Sequence, residues 1–490
     1  MYNVTVRKKS EAFLFVDCDS GIAQELSEFF TFFAEGYKFM PAYRNKFWDG
    51  KIRLFDIKTR EIYCGLLPYI IEFCKAEGRN YNLEIDPKLT ANDTIEDLNF
   101  STYSKQKLIT PHDYQIDSVK RVLGAKRGII VSPTGSGKSL MIYLSLRWFL
   151  ERSDKNVLVI VPTTSLVSQM NSDFIDYSYN DSSFSESDMH CIFSGKEKLN
   201  NQRVVISTWQ SIYKMPEQWF RSFGMVIGDE AHGYKSKSLV SIMTKLKYCE
   251  YRIGTTGTIP DNAQVHKLVL EGLFGTVIQA TTTKELMDQG TLAELKIKML
   301  ILKHPEDVRR NFKKNYQDEV DYIVRHEKRN NLIANLALDL EGNTLVLFNY
   351  VDKHGKPLFN LINTRAADNR KIFYVSGETK TDVREDIRHI VESEEDAIIV
   401  ASLGTFSTGI NIRNLHNIIF ASPSKSQIRV LQSIGRGLRK SENGKPTQLY
   451  DFCDDITWKA RKNYTFNHGS ERIKIYSKEH FDYELYEIEI

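Results

Sequence analysis

The chain has 490 residues, 41% hydrophobic and 26% charged, and at roughly 150 residues per domain it has room for about three domains with well-buried cores. It holds no run of the roughly 18 apolar residues that a membrane-crossing helix needs, and its start, MYNVTVRKKSEAFLFV, lacks the apolar stretch and small-residue cleavage site of a signal peptide, so a cytoplasmic protein without membrane contact is expected. A formal net charge of +3, from 66 basic and 63 acidic residues, excludes a whole-molecule positive field, so any nucleic-acid surface must be local.

Six cysteines (Cys18, Cys64, Cys74, Cys191, Cys249, Cys453) lie far apart without a CxxC pair, which favours reduced thiols over a disulfide framework or zinc ribbon. The eleven histidines show no HxxxH or HExxH pattern, so a metal held by side chains alone is not expected.

In chain order, residues 1–88 mix strand-like runs (Ala12 to Val16, Lys51 to Asp56, Tyr81 to Ile85) with helical ones (Ile22 to Phe33, Leu67 to Ala76), as a small α+β unit does. A polar linker, 89–106, follows. From 107 to 282 short apolar runs alternate with amphipathic segments: Gly128 to Val131, Val157 to Val161, Val204 to Ser207, Met225 to Gly228 and Arg252 to Gly254. Such runs read as parallel strands covered by helices on both faces. A second set fills 283–455: Thr344 to Asn349, Lys371 to Val375, Ala397 to Ala401, Asn417 to Ala421 and Gln448 to Phe452. The expected fold class is α/β, two tandem parallel-sheet lobes behind a small α+β domain. Residues 456–490, mixed in charge and rich in aromatics, form an extension without an assigned role.

Ser132-Pro133-Thr134-Gly135-Ser136-Gly137-Lys138-Ser139 follows the first apolar run of the first lobe and opens a helical one, the strand–turn–helix context of a phosphate-binding loop. Its glycines let amide N–H groups and the helix N-terminus converge on phosphate oxygens. Lys138 is expected to reach the β and γ phosphates and Ser139 to ligate Mg²⁺. The first position holds Ser132 instead of glycine, and the plain alternative is a Gly/Ser turn.

The strand Met225 to Gly228 runs into Asp229-Glu230-Ala231-His232. A carboxylate at a buried strand end suits a metal, and Glu230 can polarise a water for in-line attack, although Asp-Glu after a strand is commonly a solvated strand end. In Gln432-Ser433-Ile434-Gly435-Arg436-Gly437-Leu438-Arg439 two arginines stand three apart, on one face if the segment is helical. They are expected to stabilise transition-state charge on the γ-phosphate, where an arginine finger contributes roughly 10³ to 10⁵ in rate; a surface basic cluster is the alternative.

With these residues in hand, residues 107 to about 455 resemble superfamily 2 helicases and translocases of the DEAH/DExH kind, whose lobes are RecA-like. Pro111-His112-Asp113-Tyr114-Gln115 is similar to the element in which Gln115 reads adenine. Pro162-Thr163-Thr164-Ser165-Leu166 and Ser207-Thr208-Trp209-Gln210 are similar to segments that touch the nucleic-acid backbone, through Thr163, Thr208 and Trp209 here. Thr256-Gly257-Thr258 stands where the family has its coupling triplet, usually Ser-Ala-Thr, and Thr408-Gly409-Ile410-Asn411 resembles the second-lobe element on strand backbone and nucleotide, with Gln432 as a further coupling residue. The resemblance implies ATP and Mg²⁺ as cofactors, with Gln115, Thr134, Gly135, Ser136, Gly137, Lys138 and Ser139 holding the nucleotide, Ser139 and Asp229 the metal, and Lys138, Asp229, Glu230, His232, Arg436 and Arg439 carrying hydrolysis. Taken singly, the Thr and Ser residues of these blocks are usual helix caps and turn formers.

The whole chain, including Phe47-Trp48-Asp49-Gly50-Lys51-Ile52-Arg53-Leu54-Phe55, further resembles a phage recombination helicase of that superfamily. This implies a monomer in the host cytoplasm acting on branched or single-stranded DNA, with RNA–DNA hybrid as a further substrate and recombination or single-strand-binding proteins as candidate partners; the alternative is a nucleic-acid-stimulated ATPase that translocates on duplex or senses it without separating strands. Between Gly36 and Arg60, Lys46, Lys51 and Arg53 stand among aromatics, as cations for phosphates and rings for base stacking do; the alternation from Lys51 to Leu54 is equally that of a half-buried antiparallel strand.

Overall fold

The computed structural model describes all residues except 1, 35, 80, 97, 99, 194, 196, 199, 200, 235, 260–263, 313, 314, 368, 369, 410, 411, 413, 424–434, 436–445 and 462. The chain divides into two compact units, one of residues 1–132 and 137–280, the other of 133–136 and 281–490.

Within the first unit, the N-terminal module is a mixed sheet built from β1 (Tyr2–Lys8), β2 (Phe13–Asp17), β5 (Phe55–Asp56), β6 (Glu61–Tyr63) and β7 (Tyr81–Ile85) in the order β5-β6-β2-β1-β7, with a separate antiparallel pair, β3 (Thr31–Phe33) and β4 (Lys51–Arg53). Val4, Val6, Leu14 and Val16 alternate inward and meet Ile22, Leu26, Ile70 and Phe73 from the two helices, Ser20–Phe29 and Leu67–Lys75, so period-two and period-3.6 patterns close on one core. The helix expected as far as Phe33 ends at Phe29, because Thr31 to Phe33 pair with Lys51 to Arg53. A short hairpin, β8 (Thr102–Ser104) and β9 (Lys107–Ile109), spans the end of the polar linker and the first residues after it.

The first lobe is a seven-stranded, all-parallel sheet: β10 (Arg127–Val131), β11 (Asn156–Val161), β12 (Met189–Ile192), β13 (Val204–Thr208), β14 (Phe223–Asp229), β15 (Tyr251–Thr256) and β16 (Val277–Gln279), ordered β12-β13-β11-β14-β15-β10-β16. Residues 157–161 and 204–208 are buried throughout, which is why these strands are apolar along their whole length. The helix Lys138–Leu150, buried continuously from Leu140 to Phe149, packs within the lobe, as a helix apolar on all sides must.

The second lobe repeats the plan with β17 (Leu295–Lys303), β18 (Thr344–Phe348), β19 (Ile372–Val375), β20 (Ile398–Ser402), β21 (Asn417–Phe420), β22 (Thr447–Asp455) and β23 (Asp482–Glu489), ordered β19-β20-β18-β21-β22-β17-β23 and again all parallel. The acidic residues Asp451, Asp454 and Asp455 are part of β22 itself. Residues 456–490 are built into this lobe: the helix Tyr464–Lys478 packs on β22, and β23 pairs with β17 along eight residues. All six cysteines are free thiols, and no described helix is long and apolar enough to cross a membrane.

Candidate functional site

In the first lobe, β15 lies between β10 and β14, and its register sets the site: Val131 stands opposite Thr256, and Asp229 opposite Thr255. The carboxyl ends of the three strands therefore sit side by side, with about 4.8 Å between neighbours. Ser132 continues β10 by donating its N–H to the Thr256 carbonyl at 2.9 Å, and the buried Ser132 occupies the position where the loop pattern has glycine without distorting the strand.

The turn from Pro133 to Gly137 bends through two left-handed glycines, Gly135 at φ +87° and Gly137 at φ +77°. A Cβ at Gly137 would lie 2.3 Å from the Gln115 amide nitrogen, so a side chain there would have to displace that amide. Ser136 Oγ closes the turn by donating to the Pro133 carbonyl at 2.7 Å, and Lys138 Nζ donates to the Ser132 carbonyl at 3.0 Å. Gln115 is buried in the first turn of the helix Asp113–Gly124, where its Oε1 accepts from the His112 N–H at 2.8 Å; that capping bond fixes the amide beside the loop. Thr134 lies at the start of the turn and Ser139 in the first turn of the helix, with Ser139 Oγ 2.8 Å from the Tyr177 hydroxyl.

Asp229 ends β14. Burial pushes its carboxyl up to about 6, the adjacent Glu230 charge adds to this, and Lys138 and a 2.8 Å bond from Thr255 Oγ1 pull it back. Glu230 stands at φ +50°, a left-handed conformation that costs a residue with a Cβ roughly 1–3 kcal/mol and collects at active sites. Its carboxylate lies 3.2 Å from His232 Nδ1, which is 3.0 Å from Thr256 Oγ1. Thr256 Oγ1 spends its proton on the Thr258 carbonyl at 3.0 Å, so toward His232 it can only accept, and Nδ1 is the protonated ring nitrogen. The result is a continuous chain from Glu230 through His232 and Thr256 to Thr258. A Cβ on Gly257 would sit 3.9 Å from the Ser132 carbonyl oxygen and 4.0 Å from Lys138 Nζ, ordinary contact distances, so the missing alanine of the triplet leaves its backbone path intact.

The other expected contacts are more dispersed. Thr163 is the N-cap of the helix Thr164–Tyr177, its hydroxyl accepting from Leu166 N–H at 3.4 Å. Thr208 ends β13 with its hydroxyl 2.9 Å from Ser211 Oγ, and Trp209 begins the next short helix with its ring against Tyr213. Thr408 lies in the helix Leu403–Gly409 of the second lobe. Gln432, Arg436 and Arg439 fall outside the described residues. In the N-terminal module Lys51 Nζ stands 5.5 Å over the Phe33 ring and Arg53 pairs with Asp49. Exposed Lys46, at φ +60°, adjoins Phe47, which is 86% exposed. Motif spacing pointed to neither Thr255, whose hydroxyl holds Asp229, nor Tyr177, which lies outside every motif block.

Among the described residues no group of three or more His, Cys, Asp or Glu could hold a metal ion. A hydroxyl and a carboxylate from the chain, completed by phosphate oxygens and water, are a donor set that fits Mg²⁺.

Three family models match the chain: the N-terminal domain of DNA helicase UvsW over residues 3–86, the res subunit of type III restriction enzymes over 108–261, and the helicase conserved C-terminal domain over 327–441. The chain is 38% identical to the ATP-dependent DNA helicase uvsW of Enterobacteria phage T4, over 96% of each protein. It is 26% identical to the DNA 3'-5' translocase XPB2 of Sulfurisphaera tokodaii, over 76% of this chain and 88% of that one. The crystal structure of T4 UvsW matches with a TM-score of 0.53 at 36% identity, covering 99% of both chains. With its N-terminal module, phosphate loop and both lobes all inside that likeness, the chain belongs to the UvsW family of superfamily 2 helicases.

Proposed function

We propose that the chain is an ATP-dependent DNA helicase of the DEAH/DExH kind that acts on branched DNA, migrating junctions, regressing forks and dissociating D-loops and R-loops. The observation that carries this reading is the gathering of Lys138, at the start of its helix, with Asp229 and Glu230 at the end of β14, Glu230 being tied by His232 to Thr256, in a chain of which 96% aligns with an ATP-dependent DNA helicase.

In this reading the backbone from Thr134 to Gly137 and the following helix N-terminus cradle the phosphates, Lys138 pairs with the β and γ oxygens, and the Gln115 amide reads adenine. Ser139 and Asp229 hold Mg²⁺, which when bound offsets the phosphate charge. Glu230 polarises the attacking water, and His232 holds its carboxylate while carrying the state of the site to Thr256 and Thr258. Arg436 and Arg439 stabilise charge on the transferred phosphoryl group, with Gln432 as a coupling residue. Thr163, Thr208, Trp209 and Thr408 contact the phosphate backbone of the bound strand, which makes binding largely independent of sequence and sensitive to salt. Lys46, Lys51 and Arg53 add a second grip on duplex or junction arms.

ATP turnover measured on single-stranded, duplex, forked, four-way and RNA–DNA hybrid substrates, alongside strand displacement on the same set, tests the proposal. Stimulated turnover with strand movement on forked and four-way DNA is expected. Stimulated turnover without strand movement on any substrate would instead make the chain a duplex translocase or a sensor.

A further inference from the structure

The hydroxyls of Ser139 and Tyr177 lie 2.8 Å apart although 38 residues separate them. Tyr177 is the last residue of the helix Thr164–Tyr177, whose Val167, Met170 and Phe174 are buried in the lobe core. Its ring packs 5.5 Å from that of Tyr143, which itself packs 5.8 Å from Phe174, and Tyr143 lies one turn beyond Ser139 on the helix Lys138–Leu150. The neighbouring Asp176 carboxylate accepts from the Lys105 N–H at 2.8 Å, tying the end of the helix to the β8–β9 hairpin. The phenol ring is therefore packed on Tyr143 at a helix end tied to the hairpin, and its oxygen meets the hydroxyl that the proposed function assigns to the cation.

A serine hydroxyl carries one proton and two lone pairs. To ligate a cation it must turn a lone pair to the metal and its proton elsewhere, and groups that take up the second valence of a ligand fix its orientation and raise its affinity. We infer that Tyr177 is a positioning residue for the nucleotide site: its phenol oxygen accepts the Ser139 proton and so aims a Ser139 lone pair at the Mg²⁺ that accompanies the nucleotide. This rests on the reading of Ser139 as a metal ligand. A phenol that instead latched the hydroxyl away from the cation would have the opposite sign, with its removal tightening Mg²⁺ binding.

The test is a fluorescence titration of the full-length protein with N-methylanthraniloyl-ADP at increasing Mg²⁺, for wild type, Tyr177→Phe, Ser139→Ala and the double variant, with thermal melting to verify folding. Tyr177→Phe is expected to bind the nucleotide without Mg²⁺ as wild type does and to need about 3- to 10-fold more Mg²⁺ for half-saturation, the effect of one lost hydrogen bond. In the Ser139→Ala background the same change is expected to add nothing, because its route is already cut. Tyr177→His, which cannot reach as far, is expected to shift Mg²⁺ demand in the same direction and serves if Tyr177→Phe melts early. An unchanged or lowered Mg²⁺ requirement in the tyrosine variants, or an equal shift with Ser139 already gone, overturns the positioning role while leaving the site intact. If Ser139→Ala itself leaves Mg²⁺ demand unchanged, the assignment of Ser139 falls, and this inference with it.

Discussion

Gly65 packs so closely on Glu271 that a Cβ at residue 65 would lie 1.8 Å from the Glu271 carbonyl oxygen. The contact joins the N-terminal module to the helix Gln264–Phe274 of the first lobe, where Tyr69 also donates to the Glu271 carboxylate and Leu268 enters the core of the module. The module is thus a fixed part of the first lobe. Gly65→Ala has to push backbone from backbone and is expected to cost about 1–3 kcal/mol, in the range of overpacked cores, read as a lowered urea midpoint. An unchanged midpoint would show that the junction yields freely.

Lys138→Ala is expected to abolish ATP turnover, since no other cation occupies the loop. Glu230→Gln keeps the shape of the side chain but not its basicity, and the expected loss in turnover is about 10² to 10⁴, the usual contribution of a positioned general base, with nucleotide affinity kept. Steady-state hydrolysis together with nucleotide binding separates the two; a Glu230→Gln variant turning over at the wild-type rate would remove the assignment.

His354, in the second lobe, predicts a pH dependence of stability. Burial, with Arg329 adding to it, pushes the ring down to about 3. Asn330 Nδ2 donates to the Val324 carbonyl, so Asn330 Oδ1 accepts from His354 Nε2 at 3.2 Å, while Nδ1 takes the Ser422 proton at 2.8 Å; the ring is neutral and fully engaged. In the unfolded chain it titrates near 6.5. Between about pH 6.5 and 3 the unfolded state binds the extra proton, so this group makes stability fall as pH is lowered, by about 1.4 kcal/mol per unit. Urea melts at several pH values are expected to show a shallower acid dependence for His354→Gln; parallel curves would refute the buried neutral ring.

Arg472 and Asp451 form a fully buried two-point ion pair, with bonds of 2.7 and 2.8 Å, and Tyr476 donates to the same carboxylate at 2.7 Å. They fasten the helix Tyr464–Lys478 to β22. Asp451→Ala leaves a guanidinium buried without its counter-charge and is expected to destabilise the lobe by about 3–5 kcal/mol, measured as the lowered midpoint of chemical unfolding. A loss below about 1 kcal/mol would mean that this helix is not needed to hold the lobe.

Reversing charge at Lys46, Lys51 and Arg53 to Glu is expected to weaken junction binding and, with three phosphate contacts gone, to flatten the slope of log affinity against log salt by about 2.7. Fluorescence anisotropy on a four-way junction across a salt series measures both. An unchanged slope would make the strand Lys51–Arg53 a structural element alone.

How much of this was legible in the chain follows from the range of the interactions. Strands buried on both faces announce themselves as apolar runs, so β10, β11 and β13 can be read directly. The phosphate loop is legible because its strand, turn and helix are contiguous. The same rule hid β17, whose Leu-Lys-Ile-Lys opening alternates, and β23, whose acidic residues are exposed and which lies at the edge of the sheet, paired with β17. The phosphate-loop pattern selected Lys138, and two carboxylates at the end of a buried apolar strand selected Asp229 and Glu230, whereas the order of the motif blocks promoted the Thr and Ser residues. Only the tertiary structure decided that His232 bridges to Thr256, that Thr255 holds Asp229 and that Tyr177 meets Ser139, since those bonds join residues 24 to 38 positions apart and exist only once parallel strands and their covering helices bring distant hydroxyls within 3 Å. Composition and spacing record what a residue can do, whereas the register of β15 between β10 and β14 determines which neighbour it does it with.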